Sequence, residues 1–413
     1  MIQRGINDLA LRQVEEPRSR QGRRRALPPM LAALLCGLAA GANSLRELES
    51  LTDEMGHGMR KVLKVAGRIP DTTMRDLLVR LSPTSLRSAL HRLIRAAHRR
   101  KALEPEGLPF SVVALDGKSV TTPVVNDPYV LGQPATKDRS AFGMVRTMTA
   151  TLTSCRARPC IDAIPIPAGT NEMGHFIAAF TELVAAYGKK LFRLVTYDAG
   201  ACSFVNAGAI IAAGFDYLFS LKGSQHALHE RAIQIFGQRG EPLAQTEDVI
   251  NNNETTYRFL WLANKKRPSL PGLKTLAMVR SLTVDAEGRT IAVEDRYFAS
   301  SLAVDKLTPQ QWLLLVRSHW RVENDCHKTW DVAFEEDERP WIRTEPQAMV
   351  AVQILRRIAY NMLALFRAVT QRSEEKRGTP WRDLMRWVYN AAIAATSNDI
   401  DGLRHRPLQS VCL

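Results

Sequence analysis

The spacing of the apolar residues changes once along the chain, near residue 105, and that change limits what the chain can fold into. Between residues 27 and 101 apolar side chains recur every three or four positions, with breaks at 41–44, 56–58 and 67–71. This pattern predicts several short helices. The last of them, 85–101, puts Leu86, Leu90, Leu93 and Ile94 on one stripe and leaves arginines and Lys101 on the other faces, a basic amphipathic helix. Together with residues 68–80, where Asp71 or Thr72 is placed to cap a helix, it fits a helix-turn-helix, although any two short packed helices satisfy the same pattern. After Glu104-Pro105-Glu106-Gly107 the pattern becomes short β-branched runs. Strands are expected at 110–115, 142–153, 161–166, 191–197 and 216–221, and helices at 171–187 and 201–213. Three further strand-like runs lie at 255–262, 275–284 and 290–298. A helix beginning at Thr308-Pro309 is expected to run through Trp320, Glu323 and His327 towards Val332, and two more helices, 347–370 and 381–394, follow.

The resulting order is strand-strand-strand-helix-strand-helix-strand-helix. It predicts an α/β (α+β mixed) fold, an RNase H-like mixed sheet with flanking helices, carrying a β-rich insertion and an all-α N-terminal region. The expected division is a helical, basic region over 1–105, a catalytic domain over 106–345 with the insertion at about 246–302, and C-terminal helices over 346–413.

Charge narrows the function. The chain carries a formal +14 at pH 7, which favours a polyanionic partner, with nucleic acid ahead of an anionic membrane surface. Residues 1–105 hold 20 Lys+Arg against 10 Asp+Glu, so this quarter reads as a DNA-docking module; solvated helix faces are the plain alternative. The six cysteines contain no C-x-x-C pair, so reduced, buried thiols are expected rather than a zinc ribbon or a disulfide framework. The apolar stretch 30–42 is too short to span a bilayer, and no export signal is recognisable. The expected location is the cytoplasm, in association with the nucleoid.

Cutting and joining phosphodiesters requires an activated oxygen and a clamp on developing negative charge, which two divalent ions held by carboxylates provide. Asp116 and Asp198 at strand ends and Glu323 on a helix match that requirement, but among 42 acidic residues placement alone is weak. The surrounding sequence is more specific: ALDGKSV around Asp116, LVTYDAGAC around Asp198, DYLFSLKGSQ after it, and RSHWRVENDCHKTWDVAFEEDE around Glu323. In this order the segments resemble those of bacterial insertion-sequence DDE transposases, the subgroup with DGK, L-K-G-N-Q and H-W-x-I-E-N motifs. The opening RQGRRRALPPMLAALLCGLAAGANSLREL resembles that group's first segment as well.

The resemblance implies an RNase H-like fold and a DNA transposase that cleaves and transfers strands at element ends. It implies Asp116, Asp198 and Glu323 as catalytic residues and ligands of Mg²⁺, with Mn²⁺ as substitute. Double-stranded DNA with terminal inverted repeats and a homodimer in a synaptic complex are the implied partners. A catalytically degenerate or domesticated DNA-binding relative is the alternative. The flanking Tyr, Arg and Lys seen around the Glu in the wider superfamily are here Val316, His319 and Trp330, so those contacts do not carry over. Ser224 replaces the Asn of L-K-G-N-Q, and Val322 replaces an Ile.

Secondary candidates follow from chemistry. Lys118, Lys222 and the cluster Arg23, Arg24 and Arg25 suit phosphate contact. His319, Glu323 and His327, at four-residue steps, would share a helix face; the histidines then either touch DNA, join a metal site or pack structurally. Trp312, Trp320, Trp330 and Trp341 are either core or stacking platforms. The acidic run 335–338 reads as a solvated turn or as a source of one more metal ligand.

Overall fold

The structure is a computed structural model describing residues 1–249, 254–265 and 269–399. The N-terminal region is helical as expected: α1 (Ile2–Leu9), α2 (Leu27–Ala39), α3 (Leu45–Glu54), α4 (His57–Leu63), α5 (Asp71–Arg80) and α6 (Pro83–Arg99). Ser44 and Ser82 cap α3 and α6 by accepting from the backbone N–H groups of Glu47 and Ser85, the local interaction that makes serine a good helix start. Helix α2 is buried nearly all round, so it is a core element rather than an amphipathic surface helix.

The sheet carries the rest of the chain. Its strands are β1 (Val112–Thr122), β2 (Val130–Gln133), β3 (Phe142–Leu152), β4 (Cys160–Pro165), β5 (Leu194–Tyr197), β6 (Asp216–Leu221), β7 (Ala244–Val249), β8 (Thr255–Asn264), β9 (Thr275–Val284) and β10 (Thr290–Ser300). Strands β1, β3 and β4 form an antiparallel meander, and β5 and β6 then add in parallel to β1, with α7 (Glu172–Tyr187) and α8 (Phe204–Ala212) as crossovers. The spatial order β4-β3-β1-β5-β6 is the RNase H-like arrangement. The short β2, paired with β3, has no counterpart among the expected strands. The β-rich insertion is not a separate sheet: β10 pairs antiparallel with β6, so β7–β10 extend the same sheet to ten strands. Helix α9 (His226–Gly237) precedes the insertion.

One helical rod crosses the sheet after β10. It comprises α10 (Pro309–Ser318), a π-helical segment (Val322–His327) and α11 (Lys328–Val332). The start is the expected one, with Thr308 and Gln311 exchanging hydrogen bonds in a capping box. The wide π winding in its middle is a departure from the uniform α-helix predicted by the sequence. Then come α12 (Pro346–Leu365), α13 (Glu374–Arg377) and α14 (Trp381–Ala394). The stretch Pro346–Thr370 is long and apolar enough to cross a membrane, but 89% of its most apolar window is buried inside the protein. It is a central core helix.

Polar groups tie these layers together. Asn361 on α12 accepts from the Cys160 N–H at 2.8 Å and donates to the Cys160 carbonyl at 2.7 Å, satisfying the backbone at the free edge of β4 as a neighbouring strand would. Arg87 on α6 donates two hydrogen bonds to Asp162 on β4, at 2.8 and 2.7 Å, and a third to Glu182. Burial alone pushes the Asp162 carboxyl up, but Arg87 and His91 outweigh it and hold the group at about 2. The N-terminal helices therefore share one continuous core with β1, β3, β4, α7 and α12. Cys36, Cys155, Cys160, Cys202 and Cys326 are free and buried; Cys412 lies outside the described residues.

Candidate active site

The parallel register fixes the geometry. Strands β1 and β5 pair from Val112↔Leu194 to Ala114↔Thr196 and then separate. Two residues beyond the last pair on each strand stand Asp116 and Asp198, level with each other at the mouth of the fork. Ligands of open α/β sheets gather in such crevices at the carboxyl ends of parallel strands. Asp116 is not at the end of its strand, as the sequence pattern predicted: β1 continues to Thr122 because it keeps pairing with β3 on its other side. Asp198 does lie just past β5, where its carboxylate accepts from the Gly200 N–H at 2.9 Å and caps a short 3₁₀ turn.

Glu323 reaches the same crevice from the π-helical segment. Burial, and then the charges of Glu323, Glu172 and Asp198, push the Asp116 carboxyl up to about 8. Asp116 is half-buried, whereas Asp198 and Glu323 are exposed, so the innermost acid has open acids above it. Glu172, at the start of α7, was not singled out from the sequence. It lies directly over Gly117: a Cβ built on that glycine would sit 1.9 Å from the Glu172 carboxyl carbon. The glycine of the DGK motif thus leaves the space through which a carboxylate from the opposite face approaches. Its sequence signal was N-E at a helix start, which reads equally as an ordinary cap, and Asn171 does cap α7.

The helix-borne residues part company in the π segment. Bonds from i to i+5 widen the turn, so four-residue steps no longer form a stripe. His319 is buried, 3.3 Å from the Thr196 hydroxyl through Nδ1. His327 is also buried and faces Asp116, Nδ1 to Oδ2 at 3.4 Å. Burial, aided by Arg357 and Lys118, lowers the His327 imidazole to about 3; burial, with Lys222 nearby, lowers His319 to about 4. Both rings are neutral at pH 7 and neither lies on the surface.

Lys118 is likewise internal. Its Nζ donates to Asp331 on α11 at 2.6 Å and to both oxygens of Asp337 at 2.9 Å. Its charge fastens the rod bearing Glu323 to the strand bearing Asp116. The acidic run is a turn that is solvated only in part, with Asp337 and Glu338 exposed. Glu336 is fully buried and paired with Arg357, Asp337 takes Lys118, and Glu335 adopts a left-handed backbone. Lys222, Arg23 and Arg24 are exposed and Arg25 partly so. Three residues after Lys222, Gln225 donates to the Ala199 carbonyl at 2.8 Å, tying the L-K-G-S-Q turn to the turn that carries Asp198. Trp312, Trp330 and Trp341 are core; Trp320 is partly exposed.

The donor chemistry of the crevice suits a hard divalent cation: carboxylate oxygens from separate elements, one of them protonated for want of positive charge. Among the described residues, no three His, Cys, Asp or Glu side chains are already gathered into one coordination sphere.

The chain is similar to several known proteins. Residues 9–94 match the DDE_Tnp_1-associated family. The chain is 23% identical over 325 residues to the protein named "Putative transposase YncI" of Escherichia coli O157:H7, covering 75% of each. It is 26% identical over 229 residues to the "H repeat-associated putative transposase YhhI" of Escherichia coli K12, covering 50% of this chain and 57% of that one. Among solved structures, the piggyBac transposase in its synaptic complex with hairpin DNA aligns with 99% of this chain and 79% of its own, at 12% identity and a TM-score of 0.44. In its N-terminal segment and over half to three quarters of its length, the chain is similar to insertion-sequence transposases.

Proposed function

We propose that this chain cleaves DNA at the ends of its insertion sequence and transfers the freed 3′ ends to a target, with Asp116, Asp198 and Glu323 as metal ligands. The observation that carries the reading is the register that sets Asp116 level with Asp198 beside a Glu323 whose charge is felt at Asp116. Bound Mg²⁺, or Mn²⁺ in its place, would activate the attacking oxygen and stabilise the charge of the in-line transition state. The chain's own contribution is placement. The Ala199–Gln225 bond holds the Asp198 turn, and the Lys118 ion pairs hold the Glu323 rod against β1. The exposed Lys222, Arg23 and Arg24, with the partly exposed Arg25, are available to phosphates along a duplex.

The DNA partner is proposed to be duplex with terminal inverted repeats, brought together by a homodimer, in the bacterial cytoplasm at the nucleoid. The net charge of +14 supports a polyanionic substrate. Purified protein, incubated with Mg²⁺ or Mn²⁺ and DNA carrying the repeats that flank its gene, is expected to nick at the repeat ends. Asp198→Ala is expected to bind that DNA without nicking it. Equal binding by both proteins with no cutting by either would instead identify a DNA-holding relative that has lost its chemistry.

A further inference from the structure

Beside Glu323 lies a cavity of about 600 Å³ that the carboxylate site does not account for. One wall is the extended part of the sheet, contributing Arg258 from β8 and Arg296 from β10. The other is the helical rod, contributing Arg317 and Arg321, and Arg158 closes one end. Against these five guanidinium groups, the only acids lining the cavity among the described residues are Glu323 and Asp325.

The positive charge is incompletely matched. Arg258 and Arg317 share a single carboxylate, that of Asp248, with Arg317 at 2.7 Å. Arg158 pairs with Asp325 at 2.7 Å and keeps a buried Nε without a partner. Arg321 donates to a backbone carbonyl, that of Thr153, at 3.2 Å. Burial, and then the neighbouring Arg317, lower Arg258. Cations that depress one another in this way gain from an added anion. Arg296 pairs with Glu294 outside the cavity lining at 2.7 Å and lies 4.4 Å from the centroid of the Trp320 ring, so an aromatic ring stands beside the guanidinium groups.

Planar guanidinium forks match phosphate oxygens in pairs, and an adjacent indole offers a stacking surface to a base in any sequence. We propose that this cavity holds the sugar–phosphate backbone of a DNA single strand where it runs past Glu323. The strand would be gripped between the sheet extension and the rod, which gives the insertion a purpose in strand handling. This rests on the DNA-processing reading and adds to it the surface that holds the strand.

The test is fluorescence anisotropy with the full chain in EDTA, so that nothing is cut, using a fluorescein-labelled 20-nucleotide single strand over a range of NaCl concentrations. The double variant Arg296→Gln/Arg317→Gln is expected to bind about ten- to a hundredfold more weakly at about 0.1 M salt. Its slope of log affinity against log salt should fall by about 1.4, two phosphates at roughly 0.7 each. Asp248→Asn removes the shared counter-charge and is expected to bind more tightly than wild type, an outcome that misfolding does not produce. If wild type binds the strand while the double variant keeps its affinity and slope, or Asp248→Asn shows no gain, the cavity assignment is wrong and the transposase reading stands. If wild type binds neither this strand nor duplex, the DNA reading itself fails.

Discussion

His327 and Asp116 face each other across the gap between the π segment and β1, Nδ1 to Oδ2 at 3.4 Å. With the imidazole lowered to about 3 and the carboxyl raised to about 8, the pair is uncharged at neutral pH. An acid kept protonated by burial first and by its acidic neighbours second costs stability wherever the unfolded chain would ionise it.

That cost has a pH signature. Asp116 ionises near 3.8 in the unfolded chain and near 8 in the folded one. Between those values the unfolded state has already lost the proton that the folded state keeps, so stability falls as pH rises through the window and is unaffected by this group below about pH 4. Asp116→Asn is expected to stabilise the metal-free chain by about 1–3 kcal/mol at pH 8 and by little at pH 4. Thermal unfolding at the two pH values measures this, and an equal gain at both would mean that the Asp116 carboxyl is not raised in the fold.

Asp162 has the opposite sign. Its folded value of about 2 lies below the unfolded 3.8, so the stability it contributes is complete above about pH 4 and is lost as pH falls towards 2. Because both partners are buried, Asp162→Ala leaves the Arg87 charge with only the half-exposed Glu182 and is expected to cost about 3 kcal/mol. Urea titrations at pH 7 check the size. A cost below 1 kcal/mol would mean that α6 is held to β4 by its apolar stripe alone.

Lys118→Met tests placement apart from charge at the metal. The substitution leaves Asp331 and Asp337 facing each other without a cation, which is expected to loosen the rod and destabilise the chain by about 1–3 kcal/mol. Nicking is expected to fall at least tenfold while DNA affinity changes less than twofold, because the Lys118 amine is enclosed. A large loss of DNA affinity with unchanged stability would show that the amine meets phosphate after all.

What the sequence revealed and what it hid follow from the range of the interactions. Strand order and the cap at Thr308 depend on local patterns, whereas the expected cap at Asp71 or Thr72 is not formed, α5 starting after Pro70 without a side-chain cap. The roles of Lys118, His327 and Glu336 depend on partners up to more than two hundred residues away, and no local pattern distinguishes a buried lysine after Asp-Gly from an exposed one. The π segment was hidden because VENDCH has ordinary helical residues; its widening shows only once the rod packs on β1. Glu172 was hidden because its significance lies in the missing Cβ of Gly117, a contact between two segments that each look unremarkable.

Metal uptake should reverse the state of Asp116. A divalent cation among the four acids replaces the missing positive charge, so Asp116 must release its proton to become a ligand. At pH 7, with the folded carboxyl near 8, most molecules hold that proton beforehand. Mg²⁺ binding is therefore expected to release close to one proton per site at pH 7 and almost none at pH 9.5. It should raise stability by about 2.7 kcal/mol at a hundred times its dissociation constant. Calorimetric titrations in buffers of different ionisation enthalpy count the protons, and Asp116→Asn should abolish the release. Uptake of Mg²⁺ with no pH-dependent release would place the ion elsewhere, on the exposed acids without Asp116.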